Sequence, residues 1–468
     1  METCPPAAAT ATTCHVVAMP YPGRGHINPM MNLCKLISLK KPDILFSFII
    51  TEEWFNLISS DKIPPNIILR TIPNVIPSEL VRAKNFQAFI ESVGKDMESP
   101  FEVVLDRIFS EGFGVNVIIA DSYLDWVVRV GNRRNIPVAS LWTMSASVFS
   151  IFHHFDLLRR NGHFPIQLSE RGEEQVDYIP GIPPTRFADF PTIFHEKYRN
   201  ILLIALDYLS IVPKAQYLLF TSTYELEPQV IDALKLKFPF PLLNLGPTIP
   251  YFELRNPNFE DQNVPDYIKW LNSQPRSSVL YVSMGSFLSV SSTQMEEFIA
   301  GIFDSGVPCL CVSRGENVVF ENDDGDDHKR LVVPWCDQLR VLNHPSVGGF
   351  WTHCGWNSTL EAVYSGIPIL ASPIFWDQVP NSKKVVEDWK IGWKVRRGVE
   401  GEILVKRHEI KKLVEDFMNS ESTEVIEIRR RAKKLKEVCQ VAIAKGGSSD
   451  TNLDFFIKDI SVFKKNVA

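Results

Sequence analysis

Short β-branched and apolar runs alternate with helix-length amphipathic segments along most of the chain. The first set comprises His15 to Met19, Ile44 to Ile50, Ile67 to Ile72, Val115 to Ala120 and Val138 to Leu141. A second comprises Val279 to Met284, Cys309 to Ser313, Val347 to Trp351 and Ile369 to Ala371. Parallel strands need a long crossover to bring the chain back, so this alternation marks parallel sheets wrapped by helices. The polar stretch Pro250 to Pro265 separates the two sets, and 468 residues suffice for two cores. The expectation is two α/β domains joined by a linker at 250–265.

Charge and cysteine usage narrow the partners. A net charge of -6 offers no basic field for nucleic acid or an anionic membrane, which leaves small molecules. The eight cysteines (Cys4, Cys14, Cys34, Cys309, Cys311, Cys336, Cys354, Cys439) form no CxxC pair and read as reduced thiols. The start METCPPAAATATTC is neither basic nor apolar enough for a signal peptide, and no run reaches the ~18 apolar residues of a membrane span. A cytoplasmic protein is expected.

Three further stretches have bland expectations. Ile201 to Val212 suits a core helix. Gly162 to Lys197, rich in Pro, Phe and charge without periodicity, reads as an irregular excursion that could shape a ligand site. Ser422 to Lys445, dense in Glu, Lys and Arg, reads as a solvated helix face.

The first strand runs into PYPGRGHINP, where Asn28 is expected to cap a helix with Pro29 at its first position. That puts His26 at a strand-to-helix turn, the carboxyl edge where open α/β sheets bind ligands. Gly23-Arg24-Gly25 would let a ligand approach the backbone. A dinucleotide fingerprint is incomplete, because Asn28 stands where its third glycine belongs. Asp121 ends the strand VNVIIAD, so its carboxylate can reach the same edge. A carboxylate behind His26 would make the imidazole a general base; alternatively, Asp121 caps a helix beginning near Leu124.

In the second half, the strand Val347 to Trp351 leads through HCGWNS into a helix ended by Gly366. A helix start displaying Asn357 and Ser358, with His353 beside it, is an anion site, and a diphosphate fits. His353 and Cys354 could suggest zinc, but no second ligand pair stands near in sequence.

The segment from Trp335 to Gln378, WCDQLRVLNHPSVGGFWTHCGWNSTLEAVYSGIPILASPIFWDQ, closely resembles the signature box of the plant family-1 UDP-glycosyltransferases. PYPGRGHINPM, VIIAD and VSMGS at Val282 to Ser286 fall in the family's order, so the resemblance covers essentially the whole chain. Two apolar departures are Met284, where the family more often has Phe or Leu, and Trp351, where Leu is usual. The resemblance implies a GT-B fold of two Rossmann-like domains with parallel sheets facing a central cleft. Residues 1–249 would bind the acceptor and 266–468 the UDP-sugar, with a last helix that could pack back on the first domain.

The resemblance also implies roles. Trp335 would stack on uracil and the Cys336 backbone would meet the base edge. Gln338 and Glu361 would bind the ribose. Ser286, His353, Asn357 and Ser358 would hold the diphosphate, and Trp356, Asp377 and Gln378 the sugar, with Thr143 reaching it from the first domain. His26, assisted by Asp121, would activate the acceptor for inverting transfer. UDP-sugar is then a co-substrate, with no cofactor and no metal. Gln378 favours UDP-glucose, since the family's glucosyl transferases commonly carry Gln there. The acceptor would be a small lipophilic plant metabolite, and the protein a monomer.

Some readings stay open. Phe149, Phe152 and Phe155 could line the acceptor pocket or be core. A non-catalytic sugar-nucleotide-binding protein would keep the box without a working base, and a Rossmann oxidoreductase would use the GRGHIN turn. Asp324-Gly325-Asp326 spells a DxD metal pattern, but its acidic surroundings suit a solvated surface turn.

Overall fold

The computed structural model describes residues 14–59, 62–165, 167–255, 264–285, 291–313, 328–395 and 404–462. Ser286, Asp324 and Asp326, and the middle of the expected linker, lie outside the described residues.

The first sheet has seven strands: β1 Cys14–Met19, β2 Ile44–Thr51, β3 Ile67–Ile72, β4 Val117–Asp121, β5 Val138–Trp142, β6 Tyr217–Phe220 and β7 Leu242–Asn244. The second has six: β8 Val279–Ser283, β9 Cys309–Val312, β10 Arg330–Val333, β11 Val347–Thr352, β12 Ile369–Ala371 and β13 Gly392–Lys394. Their orders are β3-β2-β1-β4-β5-β6-β7 and β10-β9-β8-β11-β12-β13. Every pairing within them is parallel. In each sheet the winding reverses beside the first strand, at β1/β4 and at β8/β11. Such a reversal opens a crevice at the carboxyl edge.

Helices cover both faces of the first sheet, so its strands are apolar on both sides. In β1, Val17 and Met19 enter one core, whereas Cys14, Val16 and Ala18 enter the other. Phe149 and Phe152 are buried in the first of these cores and Phe155 packs against it, so all three are core. The excursion after Gly162 carries a short helix, a hairpin of Gln175–Val176 with Thr185–Arg186, and 3-10 turns including Thr192–Phe194.

The helix Thr423–Ile443 lies on Trp356–Ser365. Its Ala432 and Cys439 enter the second core, while much of its charged surface stays in solvent. The helix Ser448–Val462 then returns to the first sheet. There Leu453, Phe456, Ile457 and Ile460 share a core with Cys14, Val16 and Ala18. Asn452 Nδ2 donates to the Asn244 carbonyl at 3.0 Å.

One helix start differs from expectation. The helix after β1 spans Arg24–Lys40, so Asn28 does not cap it and Pro29 lies inside it. Gly23 supplies the first turn instead, its carbonyl accepting from the His26 and Ile27 N–H groups at 2.9 Å each. A proline within a helix removes the hydrogen bond to the carbonyl four residues back. Here that carbonyl, on Gly25, accepts from Asn357 Nδ2 of the second half at 3.0 Å.

Candidate active site

The two carboxyl edges enclose a cleft of about 1180 Å³, to which both halves contribute side chains. One small ligand fills on the order of 300 to 1,000 Å³, so two ligands can lie end to end here.

His26 and Asp121 meet on the first half's wall, as their positions after β1 and at the end of β4 require. His26 Nδ1 lies 2.7 Å from Asp121 Oδ2, with side-chain exposures of 22% and 1%. The other oxygen, Asp121 Oδ1, accepts from the Tyr123 N–H at 3.0 Å. The helix Asp125–Arg133 has no side-chain cap, so the carboxylate braces a turn and the imidazole instead of capping that helix. Thr143 Oγ1 sits 2.9 Å from the same Nδ1, so this hydroxyl lies against the imidazole.

The second half presents the start of the helix Trp356–Ser365. Its cap residue, Gly355, offers no side-chain hydrogen bond; the Trp356 N–H turns to the Asp377 carboxylate, and the next N–H groups, on Asn357 and Ser358, are left for a ligand. The chain reaches it through Cys354, whose φ of 63° is left-handed, and the helix ends at Gly366 with φ 73°. His353 is wedged between glycines: a β-carbon on Gly285 or Gly355 would come within 2.6 Å of its ring. Burial pulls the His353 imidazole down to about 4, so it is neutral at pH 7 and acts as a hydrogen-bonding group.

Deeper on that side, Gln338 Nε2 donates to Glu361 Oε2 and, at 3.0 Å, to Ser358 Oγ. The Tyr281 hydroxyl donates to Gln338 Oε1 at 3.1 Å. Burial pushes the Glu361 carboxyl up to about 7, with the Gln338 hydrogen bond pulling the other way. Burial likewise raises Asp377 to about 6, opposed by the Asn381 amide, which donates to Asp377 Oδ2 at 2.8 Å. Gln378 Oε1 accepts the Ile374 and Phe375 N–H groups at 2.8 and 3.0 Å, which leaves its own amide hydrogens for a ligand.

The tryptophans divide. Trp335 is 60% exposed at the cleft mouth, whereas Trp356 is 3% exposed and belongs to the second core. Cys336 is buried, and burial pushes its thiol up to about 11 and that of Cys354 to about 12. Neither is poised as a thiolate ligand. Among the described residues, no group of three or more His, Cys, Asp or Glu could hold a metal ion. Nor, among them, is any helix long and apolar enough to cross a membrane.

Sequence reasoning missed several cleft residues. Tyr281 was signalled only by a phenol in an otherwise aliphatic strand. The cleft is also lined by the aromatic rings of Tyr21, Phe86, Phe89, Tyr123, Phe375 and Trp376. Of these only the last two adjoin the recognised Asp377-Gln378 pair.

With that geometry in place, comparison with known proteins is direct. A family profile described as UDP-glucoronosyl and UDP-glucosyl transferase matches residues 190–399. UDP-glycosyltransferase 87A2 of Arabidopsis thaliana is 51% identical, over 96% of this chain and 97% of that protein. UDP-glycosyltransferase 87A1 of the same plant is also 51% identical, over 95% and 99%. The UGT71G1 structure from Medicago truncatula, complexed with UDP-glucose, has a TM-score of 0.77 at 26% identity, covering 96% of this chain and 98% of that one. Os79 from O. sativa, in complex with U2F and trichothecene, has a TM-score of 0.80 at 23% identity, covering 95% and 100%, and shares the fold.

The facing Rossmann-like domains are those of the GT-B class. The chain belongs to the plant family-1 UDP-glycosyltransferases. It is accordingly an enzyme that transfers a sugar from a UDP-sugar to small plant metabolites.

Proposed function

We propose that the enzyme transfers glucose, with inversion, from UDP-glucose to a hydroxyl or carboxyl of a small lipophilic plant metabolite, phenolic or terpenoid. The 2.7 Å contact of His26 Nδ1 with Asp121 Oδ2 in the cleft carries this reading. Facing a carboxylate, Nδ1 holds the ring proton and Nε2 keeps the lone pair that removes the acceptor's proton. The acceptor oxygen attacks the anomeric carbon from the face opposite UDP, and an α-linked donor becomes a β-glycoside. Asp121 stabilises the imidazolium that forms.

The donor lies along the second half. Trp335 stacks on uracil, the Cys336 backbone meets the base edge, and Glu361 with Gln338 holds the ribose. The diphosphate takes the open helix start with Asn357, Ser358, neutral His353 and Ser286. Those N–H dipoles and hydroxyls meet the leaving-group charge, so no metal is needed. Asp377 and Gln378 grip the sugar with Trp356, and Thr143, which lies against the His26 imidazole, reaches the sugar from the first half. Gln378 supports glucose as the sugar, as does the UDP-glucose complex of the Medicago truncatula relative. Residues 1–249 chiefly serve the acceptor and 266–468 the donor; one chain supplies both walls, which suits a cytoplasmic monomer.

The test is UDP release from UDP-glucose with a panel of phenolic and terpenoid acceptors, with products read by mass spectrometry. Acceptor-dependent glucosides are expected, with UDP-glucose preferred over UDP-galactose, UDP-xylose and UDP-glucuronate at equal concentration. Tight UDP-glucose binding without turnover on any acceptor would instead identify a non-catalytic sugar-nucleotide-binding protein.

A further inference from the structure

Trp376 immediately precedes Asp377 and Gln378, and its backbone is left-handed at φ 58°. A bulky side chain occupies that region only where its surroundings hold it, and such outliers cluster at functional sites. What holds Trp376 is Thr192, in the irregular excursion of the first half. The Trp376 N–H donates to Thr192 Oγ1 at 2.8 Å, and the Thr192 N–H donates to the Trp376 carbonyl at 3.1 Å. So fixed, the indole reaches across the cleft and meets two rings of the first half. It lies 5.7 Å from Phe86 at 87° and 6.1 Å from Tyr123 at 82°. Near-perpendicular rings at these distances pack edge to face; because Trp376, Phe86 and Tyr123 all line the cleft, together they give it a fixed aromatic wall. The sugar-gripping loop therefore also supplies a wall of the acceptor pocket.

We infer that Trp376 is a specificity-determining residue for the acceptor, one that selects flat, apolar ring systems and keeps water from the anomeric carbon. The inference rests on the reading of the cleft as a glucosyl-transfer site. In the side reaction that the indole suppresses, water attacks the anomeric carbon and its proton passes to His26. The bond from that carbon to the UDP oxygen breaks, releasing free glucose and UDP. The indole shields this carbon only while Thr192 keeps the loop in place. Acceptor fit and donor protection are thus two effects of one ring.

The experiment compares the full-length enzyme with Trp376→Gly and Thr192→Val. Glycine adopts a left-handed backbone without strain, so Trp376→Gly deletes the ring while both hydrogen bonds to Thr192 remain possible. Each protein is assayed with UDP-glucose against a panel of flat hydroxycoumarins and flavonols and a panel of non-planar aliphatic alcohols. Glucose release without acceptor and UDP affinity by calorimetry are measured alongside. Trp376→Gly is expected to lower the planar-to-aliphatic ratio of kcat/KM by about tenfold and to raise acceptor-free hydrolysis about fivefold, with the UDP Kd unchanged within about twofold. Thr192→Val, which loses one of the two bonds, is expected to move both readouts the same way by less. If wild type transfers normally and the variants keep its acceptor ratio and hydrolysis rate, the inference about Trp376 falls and the functional reading stands. A weakened UDP Kd with an unchanged ratio overturns it too, because the ring would then serve only the donor loop. Should wild type release UDP with no acceptor in either panel, the functional reading fails first.

Discussion

Asn357 and Gly25 are joined across the cleft by a hydrogen bond of 3.0 Å, from the asparagine Nδ2 to the glycine carbonyl. Gly25 lies one residue before His26, and Asn357 stands in the first turn of the helix Trp356–Ser365. The carbonyl can accept because Pro29, four residues on, has no N–H to offer it. His26 and the start of the helix Trp356–Ser365 are therefore tied together beside Pro29, which leaves the Gly25 carbonyl without its helical donor.

Pro29→Ala restores the competing N–H and is predicted to lower kcat by about threefold to tenfold without lowering the melting temperature, since alanine suits a helix interior better. Steady-state kinetics of a double-mutant cycle with Asn357→Ala separate this from a local effect. The Pro29 substitution is expected to add little once the Asn357 amide is gone, a coupling of about 1 kcal/mol. Fully additive losses would count against the linkage.

His26→Ala is predicted to reduce turnover by roughly 10² to 10⁴ while UDP affinity by calorimetry stays nearly constant, because the imidazole belongs to the opposite wall. Asp121→Asn is predicted to slow the reaction too, since a neutral amide cannot stabilise the imidazolium. Near-normal turnover of His26→Ala on a hydroxyl acceptor would remove the residue from its role.

UDP binding is predicted to tighten as pH rises through about 7, the value to which burial raises Glu361. A carboxylate accepts from both vicinal ribose hydroxyls, and more strongly than a carboxylic acid, which keeps only its carbonyl oxygen as a good acceptor; binding therefore favours the deprotonated form, whose population grows with pH. The sign for the fold alone is opposite. A carboxyl raised in the folded state favours folding below its ordinary value near 4.5, and that contribution is lost as pH climbs through about 7. Titration calorimetry from roughly pH 5.5 to 8.5 reads the effect, and Glu361→Gln is expected to flatten it. A pH-independent Kd in the wild type would contradict the ribose assignment.

Activity is predicted to survive excess EDTA, because the helix start and its hydroxyls supply the charge compensation that a cation gives elsewhere. Asp324→Ala with Asp326→Ala is predicted to leave turnover within about twofold, as expected if the acidic stretch around them is the solvated turn that its sequence suggests. Loss of activity in EDTA with rescue by Mn²⁺ would mean that the diphosphate site around His353, Asn357 and Ser358 is wrongly drawn.

Local pattern carried most of the architecture. β3 and β12 run over the residues the sequence suggested, Ile67–Ile72 and Ile369–Ala371. Within the two large sheets, β6, β7, β10 and β13 were not legible. Each has only three or four residues, too few to establish a period, and unlike the equally short β9 and β12 none was set off from its surroundings by a clear apolar run between turn residues. The position of Pro29 misled because proline favours a helix start, and the tertiary partner that makes it tolerable inside the helix lies in the other half. In the same way Trp376 takes its meaning from Thr192, 184 residues away in the chain, and from Phe86 and Tyr123, which are farther still. The His26 and Asp121 pairing was legible because both follow from one rule, that strand ends in a wound sheet gather at one edge.

The return of the helix Ser448–Val462 to the first sheet means that the polypeptide passes between the two halves twice, once before β8 and once after the helix Thr423–Ile443. A body hung from a single tether can swing and twist about any axis. Held at two points, it turns most easily about the line that joins them, as a door turns on its pins. Any opening that admits a ligand would then follow one arc, and closing along it would bring Asn357 back to Gly25 and the indole of Trp376 back to Phe86 and Tyr123.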